Sequence, residues 1–282
     1  YIITFFSSLF IGTGIYFYSK NHSKKINFYE QLILIFLVFL IIPLIISIPF
    51  YLSNYQLTLI NSYFESVSGF TGTGFSIFEN IKYLDPTLII WRSSSQWLGG
   101  FYFLIFLLLV FSSFKSDYKL THLVPNTNKN SNLLVKNDKS IVKIFFLYLS
   151  LTAIIFLLFS MTGIRLFNGL NLTMSVVSAG AFLPTNSLSQ IISTPPQKII
   201  LLISFIISTL NIYFFYSLFF NNKRLNNHYE DFTILILSSI FSINLLITIK
   251  DTNILDSLIN VLSSIGNSGL SLTTPPKYFT FY

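Results

Sequence analysis

The chain carries its apolar residues in long blocks without a single charge, and this decides the solvent in which it can fold. Segments 2–18, 31–52, 93–114, 144–164, 199–222 and 232–249 contain no Asp, Glu, Lys or Arg. Each is close to the length of about 20 residues that a bilayer-spanning helix needs. A cleavable signal peptide accounts for only one N-terminal block, and segment 2–18 has neither a basic region before it nor a small-residue cleavage site after it. The expected fold class is therefore an all-α polytopic membrane protein with the first block retained. The chain starts at Tyr1 and runs out in an apolar stretch at Tyr282, which reads as a longer protein truncated at its C-terminal end.

The formal charge of +7 does not call for nucleic acid as a partner, because the basic residues have a simpler explanation. Lys20, Lys24, Lys25, Lys115, Lys119, Lys129, Lys136, Lys139, Lys143, Lys223 and Arg224 fall in alternate connections. The remaining connections hold Lys82, Arg92, Arg165, Lys198, Lys250 and Lys277, so the richer side is expected to be cytoplasmic. No cysteine is present, which removes thiolate catalysis and cysteine metal sites. His22, His122 and His228 lie in polar loops without a second ligand at metal-binding spacing.

The connections are of two kinds. Segment 115–140, with Asn126, Asn128, Asn130 and Asn132, is expected to be a solvated cytoplasmic linker without a helical apolar stripe. Segments 57–76, 166–182 and 254–271 are semi-apolar, too short to span, and end in small residues and glycine. All three fall on the external side and read as re-entrant loops. Irregular backbone within a bilayer survives only against protein or a water-filled cavity, so three such loops imply one shared aqueous path. Written as YFESVSGFTGTGF, LNLTMSVVSAGAF and LINVLSSIGNSGL, they are read with Gly74, Gly180 and Gly269 in register. The recurring unit is helix, re-entrant pore loop, helix. Its expected divisions are 1–30 (first helix and cytoplasmic loop), 31–114 (first pore repeat), 115–140 (linker), 141–222 (second repeat) and 223–282 (incomplete third repeat).

A dehydrated cation can be held by rings of backbone carbonyls, without a charged side chain. Glycine permits the backbone conformations that turn successive carbonyls toward one axis, and the small residues beside it leave room for strands to converge. A short helix ending at each loop would aim its partially negative C-terminal end at the ion. The plainer reading is that Gly and Ser allow close helix packing or ordinary external turns.

The first loop, SVSGFTGTGF at 66–75, is followed by Trp91, Arg92, Gln96, Trp97, Leu98, Gly99 and Gly100. This pairing resembles the first pore unit of the Trk/Ktr superfamily of K+ transporters, of the TrkH type. The second and third loops are similar to that family's later filters, with Ala179 where Thr is usual, Ala181 where a second Gly is usual, and Gly266, Asn267 and Ser268 in place of a threonine run. The resemblance implies four pore units around one axis and K+ as the transported ion, with no cofactor. It places the ion at Thr71, Gly72, Thr73 and Gly74, at Val177, Ser178, Ala179 and Gly180, and at Gly266, Asn267, Ser268 and Gly269, with a fourth loop beyond Tyr282. It further implies a homodimer among membrane lipids in the cytoplasmic (inner) membrane, with a cytosolic nucleotide-binding regulatory subunit docking on loops such as 115–143 and 223–230.

Three readings attach to single residues. Glu65 is either a cation-attracting charge at the external mouth or a hydrogen-bonding support for the loop backbone. Arg92 is expected to snorkel as an interfacial anchor, a hydrogen bond to the loop being the alternative. Gly99 and Gly100 are expected to let their helix pack closely behind the filter, a functional motif formed by 96–100 itself being the alternative. Two other functions compete. A membrane enzyme acting on a lipid-linked substrate would need gathered acid and base groups, whereas Asp85, Asp251, Asp256, Asp117, Asp138, Glu230 and Asp231 are scattered. An inactive membrane scaffold is the other.

Overall fold

The computed structural model describes residues 1–20, 28–113, 133–210, 212, 214–215, 229–248 and 253–272. The three histidines, most of the 115–140 linker and the 223–228 part of the third basic loop lie outside the described residues. The described helices are α1 (Ile2–Lys20), α2 (Phe28–Tyr51), α3 (Leu59–Thr71), α4 (Pro86–Ser113), α5 (Leu133–Met161), α6 (Leu166–Val177), α7 (Pro195–Thr209), α8 (Tyr229–Thr248) and α9 (Ile254–Ile265). No strand occurs among the described residues.

Long and short helices alternate as the apolar blocks require. Among the described residues, 2–20, 29–51 and 141–161 are long and apolar enough to cross a membrane. Pro43 and Pro49 sit inside α2 without ending it, a pattern that spanning helices tolerate. Helix α4 is long, but its N-terminal part carries Arg92, Ser93, Ser94, Ser95 and Gln96, so this part suits a protein interior better than lipid. Helix α5 begins at Leu133, inside the segment expected to be linker. Leu133, Leu134, Val135 and Lys136 are residues that a helix accommodates readily, so the helix begins eight residues before Ile141, where the second repeat is expected to start.

Each short helix packs between long ones: α3 against α2 and α4, α6 against α4 and α5, and α9 against α7 and α8. Phe50, Phe70, Leu84 and Leu88 form the core of the first unit. Phe159, Leu172, Val176 and Phe205 join the second unit to Ile259 and Leu262 of the third. The outer faces of α1 and α2 expose Phe6, Phe10, Phe17, Ile33 and Phe36, as lipid-facing surfaces do.

The short helices invert the usual pattern by burying polar residues. Ser62, Ser66, Thr173, Ser175, Ser257 and Ser263 are all inaccessible or nearly so. Most of these hydroxyls are satisfied locally, as where Ser66 Oγ donates to the Ser62 carbonyl at 2.8 Å and Thr173 Oγ1 to the Gly169 carbonyl at 2.7 Å, while Ser257 Oγ donates to the Ser242 carbonyl of α8 at 3.2 Å. Back-bonding of this kind lets a polar helix enter a dry interior with most of its hydroxyls paired, although Ser68 Oγ on α3 and Asn171 Oδ1 on α6 are buried without a partner.

Candidate functional site

Each short helix runs straight into a tight turn stabilised by its own backbone. After α3 the amide of Gly72 donates to the Gly69 carbonyl at 3.0 Å, and that of Gly74 to Ser68 at 3.4 Å. After α6, Ala179 donates to Val176 at 3.2 Å and Gly180 to Ser175 at 2.8 Å. After α9, Asn267 donates to Ser264 at 3.2 Å, and Ser268 and Gly269 both donate to Ser263 at 3.0 and 3.4 Å. The left-handed turn residues are Gly72 (φ 74°), Ala179 (φ 53°) and Asn267 (φ 58°).

This pattern sets a register different from the expected one. With Ser68, Ser175 and Ser263 equivalent as carbonyl acceptors, Gly74 and Gly269 match Ala181, and Gly180 falls one residue earlier. Gly74 and Gly269 have positive φ, whereas Ala181 does not. The loops meet at this level: a Cβ on Gly74 would collide with the Ala181 methyl, and one on Gly269 would lie 4.0 Å from it. A Cβ on Gly72 would lie 3.9 Å from the carbonyls of Ser178 and Ala179. Gly180 backs onto the protein, its carbonyl accepting from Ser175 Oγ at 2.7 Å. A side chain there would overlap the Gln96 amide. Thr71 and Thr73 are exposed and their hydroxyls lie 2.5 Å apart. Val177, Ser178 and Ala179 also line a cavity of ≈ 250 Å³ bounded by Leu104 of α4, Tyr148 of α5 and Thr209 of α7.

Behind the loops, α4 acts as the common support. Arg92 does not snorkel; it is 1% exposed, and its Nε donates to Glu65 Oε1 at 2.8 Å. Its Nη2 donates to Ser76 Oγ at 3.0 Å, and its guanidinium lies 4.1 Å from the centre of the Phe182 ring. Glu65 is 0% exposed and also accepts from Ser76 Oγ and the Ile77 amide, both at 3.0 Å. A carboxylate so enclosed supports the loop and does not act as an external cation attractor. The supporting reading of Glu65 and the correction for Arg92 share a cause, since each charge offsets the other where both are buried.

The remaining residues of the motif fix α4 itself. Trp91 Nε1 donates to the Ile46 carbonyl at 3.0 Å and Trp97 Nε1 to Thr152 Oγ1 at 3.0 Å. Any side chain on Gly99 would strike the Phe70 carbonyl, and one on Gly100 would meet Ser178 and Tyr148, as the packing expectation requires.

Sequence reasoning passed over two further links. Asn186 Oδ1 accepts from the Ile81 amide at 2.8 Å and its Nδ2 donates to Asn80 Oδ1 at 3.1 Å, joining the outer segments of the first two units. Lys198 Nζ donates to Asp256 Oδ2 at 2.8 Å, joining α7 to α9. Opposite charge on the same side of the membrane was the available signal for the second link; nothing in the sequence marks the first.

The fold and its meeting loops define a multi-pass helical membrane protein built from repeated pore-loop units. No protein-family model matches the chain. The chain is similar to the Trk system potassium uptake protein TrkH of Escherichia coli, with 21% identity over 233 residues, 81% of this chain and 48% of the relative. An uncharacterized cation transporter of Methanocaldococcus jannaschii is 25% identical over 255 residues, 88% of this chain and 51% of the relative. The fold matches the crystal structure of the potassium transporter TrkH from Vibrio parahaemolyticus with a TM-score of 0.75 and 19% identity, covering 96% of this chain and 58% of that one. The TrkH-type resemblance seen in the sequence thus recurs in its named homologues and in its fold, and these relatives are named as transporters. The chain spans about half the length of the curated relatives it matches.

Proposed function

We propose that this chain forms part of a K+ uptake pathway across the cytoplasmic membrane, lined by backbone carbonyls of 71–74, 177–180 and 266–269. The observation that carries the reading is the meeting of Gly74, Ala181 and Gly269 from three separate loops at one level. Carbonyls brought to a common axis replace an ion's hydration shell without fixed charge. The last turns of α3, α6 and α9 lead into that meeting point, where their dipoles favour a cation. Within the second segment the Gly180 carbonyl also accepts from Ser175 Oγ, and the carbonyls of Ser178 and Ala179 lie toward Gly72 of the first loop.

On this reading the pore repeats are 31–114, 141–222 and 223–282, with the 115–140 linker passing into α5 from Leu133 onward. The names of the relatives support K+ as cargo; a homodimeric state in lipid and a cytosolic nucleotide-binding regulatory subunit are what the family resemblance of the motif from Trp91 to Gly100 implies. The test is Rb+ uptake by the protein expressed from its full reading frame in cells lacking their own K+ uptake. Gly74→Ser, which restricts the backbone without adding charge, is expected to lower uptake or the preference for K+ over Na+. Normal uptake and selectivity at normal expression would remove the filter assignment.

A further inference from the structure

The segment leaving each turn needs an anchor, and the three units do not supply it alike. In the first unit Glu65 Oε2 accepts from the amide of Ile77, 12 residues later, at 3.0 Å. In the third, Asn260 Oδ1 accepts from the amide of Leu272, again 12 residues later, at 3.1 Å. Glu65 and Asn260 each stand three places before the serine, Ser68 or Ser263, that receives the turn's amides. The same latch therefore recurs in two units of unlike sequence.

In the second unit both halves of the latch are gone. The matching acceptor position is Leu172, 0% exposed and apolar, and the matching donor position is Pro184, which has no amide hydrogen. The exit segment is held from outside instead: Gln96 of α4 accepts from the Phe182 amide at 3.2 Å through Oε1. Gln96 is 0% exposed and its amide lies against Gly180, where only glycine leaves room for it. One helical turn earlier on α4, Arg92 holds Glu65 and Ser76 of the first loop and rests on the Phe182 ring.

We propose that Gln96 is a positioning residue for ion selection, supplying from the first unit the latch that the second lacks, and that α4 thereby sets the two loops at a fixed separation. The inference rests on the filter reading above. Gln96 touches no ion; it acts through the backbone at Phe182. A loop freed at that point can adjust to a smaller ion, so its loss is read in selectivity before it is read in the amount of protein.

The experiment compares Gln96→Met, which keeps length and removes the acceptor, with Gln96→Glu, which keeps an oxygen at the same place, and with Gly74→Ser. The full-length protein is reconstituted in liposomes, and Na+ competition against Rb+ uptake is measured. Gln96→Met is expected to lower the K+ over Na+ preference by about three- to tenfold, the effect of one lost hydrogen bond, and Gln96→Glu to retain most of it. Altered selectivity in Gly74→Ser with no change in Gln96→Met overturns the role of Gln96 and leaves the filter standing. Unchanged selectivity in Gly74→Ser overturns the filter reading itself. Should Gln96→Met fail to insert, hydrogen exchange on the unmutated protein decides: a protected Phe182 amide supports the latch, and an amide exchanging as freely as exposed loop positions overturns it.

Discussion

The guanidinium of Arg92 and the carboxylate of Glu65, 27 residues apart in sequence, meet at 2.8 Å in a site closed to water. Neither is exposed at the protein surface, and together they hold the outer limb of the first loop through Ser76 and Ile77.

Removing one partner leaves the other charged and dry. Glu65→Gln or Arg92→Met is expected to cost about 3–5 kcal/mol of stability, with the double replacement losing less than the sum. Thermal unfolding of the detergent-solubilised protein reads this. The loss should be the same at low and high salt, because a pair excluded from solvent is hardly screened. A loss that shrinks with added salt would instead place Glu65 at the mouth.

Ala181 stands where its two counterparts are glycine, with its methyl in the space that Gly74 and Gly269 leave open. Ala181→Val adds bulk at the meeting point of three loops, and Rb+ uptake should fall at least tenfold. Ala181→Gly should be tolerated and raise uptake. Equal uptake in all three forms would remove Ala181 from the pathway.

Gly99→Ala tests the close approach of α4 to α3. The new methyl would land on the Phe70 carbonyl, which is backbone and cannot swing aside. A loss of about 1–3 kcal/mol is expected, seen as a lower melting temperature and less monodisperse protein on size exclusion. An unchanged melting temperature would mean that α4 can slide.

Lys198 and Asp256 are also paired, but their side chains keep 21% and 9% exposure at an outer helix end. Lys198→Met is expected to cost less than Arg92→Met, about 1–3 kcal/mol because Asp256 is left largely buried, and to be the more salt-sensitive of the two. The contrast with Arg92 is the informative result, and both variants belong in one melting series.

Three of the six expected spans and the three short helices with their turns were legible because composition and length speak directly about solvent, whereas the expected span over 199–222 is a helix from Pro195 that stops at Thr209. The glycines located the loops correctly yet misled the register, since matching Gly180 to Gly74 weighs residue identity above the hydrogen bonds. Ser68, Ser175 and Ser263 at one end and Phe75, Phe182 and Leu270 at the other carry the true alignment. The burial of Arg92 was illegible for another reason. A lone arginine after a tryptophan at a helix start looks interfacial, and only the fold brings Glu65 to it. Pro184 was visible throughout, but a missing amide has meaning only once the latch is seen in the other two units.

Because α4 precedes α6 in the chain, the ribosome delivers Gln96 to the membrane before the loop it holds has been made. The second loop thus emerges onto a template already in place, whereas the first must await only its own following helix. Permuting the chain so that residues 133–210 are synthesised ahead of 28–113 would leave every contact possible on paper and remove that order of arrival.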